Sequence, residues 1–245
     1  MHKKKVKTTH PSSDFDKITL SSKKLTKKQK RFLSLALSDD TKIMFVAGPA
    51  GSSKTYMAVY SALRRLIADN ELDLLYVRTI IECADKGLGA LPGDIEEKFN
   101  PYMAPLEDKL YEILPKTTTA RKELFEKGRV DAMPINYLRG ANWTNKAVIL
   151  DEAQNATFKE LMTLITRIGK NTMLFICGDF MQSDINGKTG FRQMFKLFDD
   201  APSKDRGIHC FEFSEEDIVR SEILKYIIQK LRSNEKQPRG KDLPG

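Results

Sequence analysis

Lys54 and Thr55 end a run of small residues, Gly48-Pro49-Ala50-Gly51-Ser52-Ser53. An ammonium and a hydroxyl in that setting suit a bound polyphosphate. Small residues let backbone N–H groups turn inward on an anion. A helix starting there adds its unpaired N–H groups and its dipole. Lys54 then reaches the β- and γ-phosphates, and Thr55 ligates Mg²⁺. The order is that of the phosphate-binding loop G-x-x-x-x-G-K-[ST], with one departure. Ser53 stands where the last Gly is expected, and its Cβ would crowd the β-phosphate.

Two further stretches supply the rest of such a site. Val148-Ile149-Leu150 is an apolar strand that stops at Asp151-Glu152. Placed beside the strand that feeds the loop, it lets Asp151 hold Mg²⁺ and Glu152 polarise an attacking water. The plainer reading of the two acids is a cap for a helix near Thr157. Phe175-Ile176-Cys177 runs into Gly178-Asp179-Phe180-Met181-Gln182. Gln182 can sense a γ-phosphate, because an amide both accepts from and donates to a water and a phosphate. Asp179 orders the loop. Gln29 has two readings: it bonds the adenine edge of ATP, or it completes a helix capping box with Thr26. Phosphoryl transfer also profits from an arginine finger, for which Arg139, Arg167 and Arg220 are candidates. Arg220 has an alternative partner in Glu216. Arg78, at another strand end, is a candidate contact for a nucleic-acid phosphate, or an ordinary surface arginine.

These residues need strands that end together and helices that return between them. The hydrophobic pattern predicts helices over 25–38, 54–67, 95–114 (interrupted by Pro101 and Pro105), 157–168, 190–198 and 216–232. It predicts strands over 42–47, 73–78, part of 128–138, 146–150, 172–177 and 207–213. Residues 82–94 read as a Gly-rich loop. Strands alternate with helices and are mostly continuous apolar runs, which implies a mostly parallel sheet covered on both faces. The expected fold is α/β: one three-layer α/β/α domain over 22–232, between a basic, mostly disordered arm over 1–21 and a polar tail over 233–245.

The chain of 245 residues has a net charge of +8. Residues 1–31 carry a net +9 and the remainder −1, so the basic character belongs to the N-terminal arm. Such an arm either holds nucleic acid through phosphate contacts or merely solubilises the chain. No apolar run is long enough for a membrane span, and Met1-His2-Lys3-Lys4-Lys5 leads into no secretory signal. Cys83, Cys177 and Cys210 lie too far apart in sequence for a disulfide framework or a zinc site. A cytoplasmic protein is the default expectation.

Gly48 to Thr55, Leu91-Pro92-Gly93-Asp94, Tyr137-Leu138-Arg139-Gly140, Ile149 to Asn155, Thr166-Arg167-Ile168-Gly169, Gly178-Asp179 with Gln182, and Asp217-Ile218-Val219-Arg220 together resemble the PhoH-like ATPase family. The resemblance covers about residues 22–232. It implies a RecA-like P-loop core related to superfamily 1 helicases, with ATP as substrate and a role in RNA metabolism. It also points towards a hexamer. Relatives with an extra nuclease or RNA-binding domain exist, and no such segment fits in this chain. The expected function is hydrolysis of ATP with Mg²⁺, coupled to RNA or single-stranded DNA. The alternative is a nucleotide-binding regulatory or scaffolding module with weak or no hydrolysis. One core must find its finger in cis or borrow it from a neighbour, and a head-to-tail contact of that kind closes into a homo-oligomeric ring. Arg220 is the first choice for the finger and Arg139 the second.

Overall fold

The longest apolar runs become strands because a continuous row of Val, Ile, Leu, Met and Phe can be buried on both faces of a parallel sheet. The computed structural model describes residues 20–21, 24–79, 95–115, 119–138, 142–182, 190–218 and 222–235. The strands are β1 (Ile43–Ala47), β2 (Asp73–Arg78), β3 (Val130–Pro134), β4 (Lys146–Asp151), β5 (Thr172–Gly178) and β6 (Ile208–Glu212). The helices are α1 (Lys27–Ala36), α2 (Lys54–Ala68), α3 (Ile95–Ile113), α4 (Ala120–Glu126), α5 (Phe158–Ile165), α6 (Gly190–Phe198), α7 (Ala201–Lys204) and α8 (Glu222–Glu235). The six strands form one sheet in the order β3-β2-β4-β5-β1-β6, and every pairing is parallel.

Strand alternation divides the core in two. Met44, Val46, Leu74, Tyr76, Ala147, Ile149, Phe175, Cys177, Phe211 and Phe213 face α1, α2, α3 and α4. Phe45, Leu75, Val77, Val148, Leu150, Leu174 and Ile176 face α5 and α6. The result is the three-layer α/β/α architecture expected from the sequence. It has one correction that matters for chemistry. The strand bearing Asp151 does not border the strand that feeds the small-residue loop, because β5 lies between them. The two ends still meet because α2 leaves the loop and crosses the sheet over β5 and β4.

Local chemistry sets the helix ends. Thr26 and Thr157 each form a full capping box, with Gln29 and Glu160. Such a cap satisfies two orphan N–H groups. α5 stops at Ile165, short of the expected 168, because Ile168 leaves the helix to bridge to Trp143. α3 runs unbroken through positions 101 and 105. A proline costs one ladder bond, and burial of Leu106, Leu110 and Ile113 offsets it. Tyr111, on the same helix, points outward, with the Arg121 guanidinium 3.4 Å over its ring. Helices α4 and α7 were not legible in the pattern; α7 is a single turn started by Asp200, whose carboxylate accepts from the Ser203 N–H. Ser214 caps the short 3₁₀ turn Glu215–Asp217, not the last helix, which is described from Glu222 and reaches Glu235.

At the opposite end of the sheet, buried Arg129 ties α2 to the strands. Its Nη2 donates to the carbonyls of Leu72 (2.8 Å) and Leu66 (3.5 Å), and its Nε lies 3.2 Å from Asp73. Truncation would leave buried carbonyls unsatisfied. Arg129→Ala is expected to lower unfolding free energy by ~2–4 kcal/mol in urea titration. A change within experimental error would show that solvent reaches those carbonyls.

Candidate ATP site

The carboxyl ends of the strands open into a cleft of about 580 Å³. Open α/β sheets bind ligands at this edge. One wall is the loop 50–55 and the start of α2. Lys24 and Leu25 before α1 and Gln29 in its first turn, with Pro105, Lys109 and Glu112 of α3, line one part; Arg78, Asp151, Glu152, Gln154, Gly178, Asp179 and Gln182 line another.

The loop closes on one carbonyl. Pro49 O accepts from Ser52 N (3.2 Å), Ser52 Oγ (2.7 Å) and Lys54 Nζ (3.0 Å). Gly48 sits where a Cβ would come within 2.8 Å of both Phe213 Cβ and Ser52 Oγ, so no larger residue fits. Gly51 has φ 78°, and Ser53 has φ 68° at the N-cap of α2 with no side-chain cap bond. Ser53 thus holds the left-handed backbone that a glycine adopts without strain. The sequence pointed only to its Cβ near the phosphate path; the backbone adds a second reason to expect a cost. A non-glycine residue in that conformation costs ~1–2 kcal/mol. Glycine's extra unfolded-state freedom returns ~0.5–1 kcal/mol of that. Ser53→Gly is therefore expected to leave stability unchanged or raise it slightly, and to tighten ATP binding or speed turnover. Thermal melts with an ATP titration test this; weaker binding would show that the loop depends on the serine.

Across the cleft, Thr55 Oγ1 donates to Asp151 Oδ1 at 2.8 Å. Tyr76 OH donates to Asp151 Oδ2 at 2.6 Å. Tyr76 was not expected from the sequence. It belongs to β2, beside β4, and alternation puts it on the same sheet face as Asp151. Burial, then the Asp151 charge and their hydrogen bond, hold the phenol well above its ordinary pKa, so it remains a donor. Burial likewise pushes the Cys177 thiol on the cleft floor well up, which leaves it no nucleophile.

Glu152 has φ 56° and turns its side chain into the cleft. Gln154, buried and also unanticipated, ties two strand ends together. Its Nε2 donates to Glu152 Oε2 (2.7 Å), and its Oε1 accepts from Asp179 N (3.0 Å). Asp179 Oδ1 in turn accepts from Met181 N (2.9 Å), which orders the turn leading to Gln182. Arg78 Nη2 lies 3.8 Å from Glu152 Oε1, inside the cleft, so the guanidinium is an ion-pair partner there and not an ordinary surface group.

Gln29 completes the capping box of α1. Its Oε1 accepts from Thr26 N (3.0 Å), and the residue lines the cleft. Next to it, Lys28 Nζ lies 2.9 Å from the buried Asp217. Burial alone would raise the Asp217 carboxyl, but bonds from Ser214 and the Lys28 charge outweigh it and bring it below its ordinary value. This pair joins α1 to the segment that continues towards Arg220. Arg167 is placed away from the cleft, its Nη2 donating to Leu138 O at 2.7 Å. Arg139, Arg220, the 82–94 loop with Leu91-Pro92-Gly93-Asp94, and the arm over 1–19 lie outside the described residues.

Among the described residues no group of three or more His, Cys, Asp or Glu could hold a metal ion by itself. Thr55 and Asp151 nevertheless fit Mg²⁺ in kind. They are hard oxygen donors side by side at a polyphosphate loop, and Mg²⁺ takes one or two protein oxygens with waters and substrate phosphates.

A family model described as PhoH-like protein matches residues 22–232. A PhoH-like protein of Synechocystis is 32% identical over 213 residues, which cover 86% of this chain and 62% of that protein. A PhoH-like protein of Bacillus subtilis is 35% identical over 192 residues, 76% of this chain and 57% of that protein. Protein PhoH of Escherichia coli K12 is 34% identical over 185 residues, 75% and 51%. The chain therefore spans between half and two thirds of the length of these relatives. Among solved structures, the large terminase of a thermophilic bacteriophage superposes with a TM-score of 0.53 at 12% identity, over 85% of this chain and 50% of that one. A second crystal form of that terminase, in complex with ADP, gives 0.50 at 12% identity, over 84% and 50%. These likenesses support the P-loop fold. Among the described residues no helix is long and apolar enough to cross a membrane.

Proposed function

The chain belongs to the PhoH-like protein family, and on that footing we propose that it binds ATP at the strand-end cleft and hydrolyses it in work coupled to RNA or single-stranded DNA. The observation that carries this reading is the convergence of Lys54, Thr55, Asp151 and Glu152 on one cleft from two strand ends that β5 separates. Domain 22–232 is the ATPase unit, the arm over 1–21 and the tail over 233–245 flank it, and the cytosol is its compartment.

In this reading the loop Gly48–Ser53 and Lys54 cradle the phosphates, and Gln29 meets the base. Thr55 and Asp151 would hold Mg²⁺, which supplies charge neutralisation across the phosphates. Tyr76 fixes the rotamer of Asp151 through its second oxygen. Glu152 accepts a proton from water as the water oxygen bonds to the γ-phosphorus. The bond to the β–γ bridging oxygen breaks, and its electron pair leaves with ADP. Gln154 aims Glu152 and couples it to the turn before Gln182, which contacts the γ-phosphate.

The cleft opens at the strand ends, where a neighbouring subunit could reach it; in this reading the working unit is a homo-oligomeric ring, hexameric by family resemblance, with Arg220 or Arg139 reaching the adjacent site. Ile223, Tyr226 and Ile227 support this, because they form an exposed apolar row on α8 just beyond the Arg220 segment. An apolar row of this kind marks a surface for another protein.

ATP turnover with and without single-stranded RNA tests the coupling: stimulation is expected, and an identical rate at saturating RNA would favour the regulatory alternative. The arm is expected to supply much of the nucleic-acid affinity. Deleting residues 1–20 removes Lys3, Lys4, Lys5, Lys7 and Lys17 with Asp14 and Asp16. Affinity should fall and its salt slope should flatten. Unchanged salt dependence would exclude the arm.

A further inference from the structure

We propose that Arg78 is a catalytic cation in cis, which leaves Glu152 to contact the γ-phosphate of the ATP bound in the same subunit. The inference rests on the reading of the cleft as an ATP site and assigns within it a residue that sequence pointed towards nucleic acid.

Arg78 ends β2 in register with Asp151 of β4, so it lies at the strand ends where the acidic pair emerges. Alternation along β2 gives it the sheet face of Tyr76, the face covered by α2 and the phosphate loop. Thr79 locks this placement: its N–H donates to Asp151 O at 3.4 Å, and its Oγ1 to Glu152 O at 2.7 Å. The Arg78 backbone therefore cannot drift from the carboxylates while that junction holds.

Glu152 divides its oxygens: Gln154 Nε2 holds Oε2 at 2.7 Å, and the Arg78 guanidinium faces Oε1 at 3.8 Å. That separation is an ion pair without a tight hydrogen bond, and the Arg78 side chain is 32% exposed. Guanidinium has five donors in a planar fork suited to phosphate oxygens. A terminal phosphate in the cleft competes with Glu152 for it, and with more charge. Moving Arg78 onto the phosphate neutralises charge where the transition state gathers it. Gln154 keeps Glu152 in place during the exchange.

The test is nucleotide affinity of the full chain, measured for ADP and for β,γ-imido-ATP with Mg²⁺, beside affinity for a single-stranded RNA oligomer. Arg78→Ala is expected to weaken the triphosphate analogue at least tenfold while ADP and RNA affinities stay within twofold. Arg78→Lys, which keeps charge and leaves the strand ends intact, is expected to recover part of the triphosphate preference. Equal losses for ADP and the analogue would overturn the assignment. So would a loss of RNA affinity with the triphosphate preference intact, which returns Arg78 to nucleic acid. If the parent chain binds neither nucleotide, the ATP reading itself fails. That failure is distinct, because parent and variant then behave alike.

Discussion

Glu152→Gln is expected to bind ATP as the parent does and to hydrolyse it ~10²–10⁴-fold more slowly, the range for loss of a positioned base. The amide is isosteric, still bonds Gln154, and cannot take a proton from water. Lys54→Ala is expected to fail earlier. Removing the ammonium that faces the phosphates should weaken ATP binding at least about tenfold, the scale of a lost charge-assisted bond. The pair of variants separates binding from chemistry. Fluorescent-nucleotide titration reads the first and single-turnover phosphate release the second. A Glu152→Gln chain that hydrolyses ATP at the parent rate would remove Glu152 from the chemistry.

Mixing two inactive variants is expected to restore activity. Lys54→Ala lacks the phosphate side of the site, and Arg220→Ala lacks the side reaching in from a neighbour. In randomly mixed rings, roughly a quarter of interfaces join the intact loop of one variant to the intact arginine of the other. Recovery of a comparable fraction of parent turnover is the predicted result, and Arg139→Ala in place of Arg220→Ala distinguishes the two arginines. Arg78, from within the subunit, and the borrowed arginine approach the γ-phosphate from different chains and are compatible. No recovery after demonstrated subunit exchange, or a fully active monomer in sedimentation, would contradict the shared site.

Much of the fold was legible because its strands are continuous apolar runs and its loops carry Gly and Asx residues at the ends. Helices α4 and α7 escaped notice because they are short, with too few turns to show a period. At the site, motif residues could be picked out singly, since a Lys-Thr after small residues and an Asp-Glu after an apolar run each imply chemistry alone. What the sequence could not give was adjacency. Tyr76 looked like one more apolar strand residue until strand order set β2 against β4. Gln154 is two residues beyond Glu152 in an ordinary turn, and only the arrival of Asp179 from β5 gives its carbonyl a partner. Arg78 was directed to the correct strand end, but its neighbour there could not be read, because its distance from Glu152 depends on the β2–β4 register. Ser53 was flagged for its side chain, whereas its unusual feature is its backbone.

Hydrolysis of ATP by this cleft is tested by phosphate release from ATP by the full parent chain, run with Mg²⁺ and again after chelation. Steady turnover is expected with Mg²⁺, and none after chelation. Release with Mg²⁺ no faster than that of Lys54→Ala under the same conditions would contradict it.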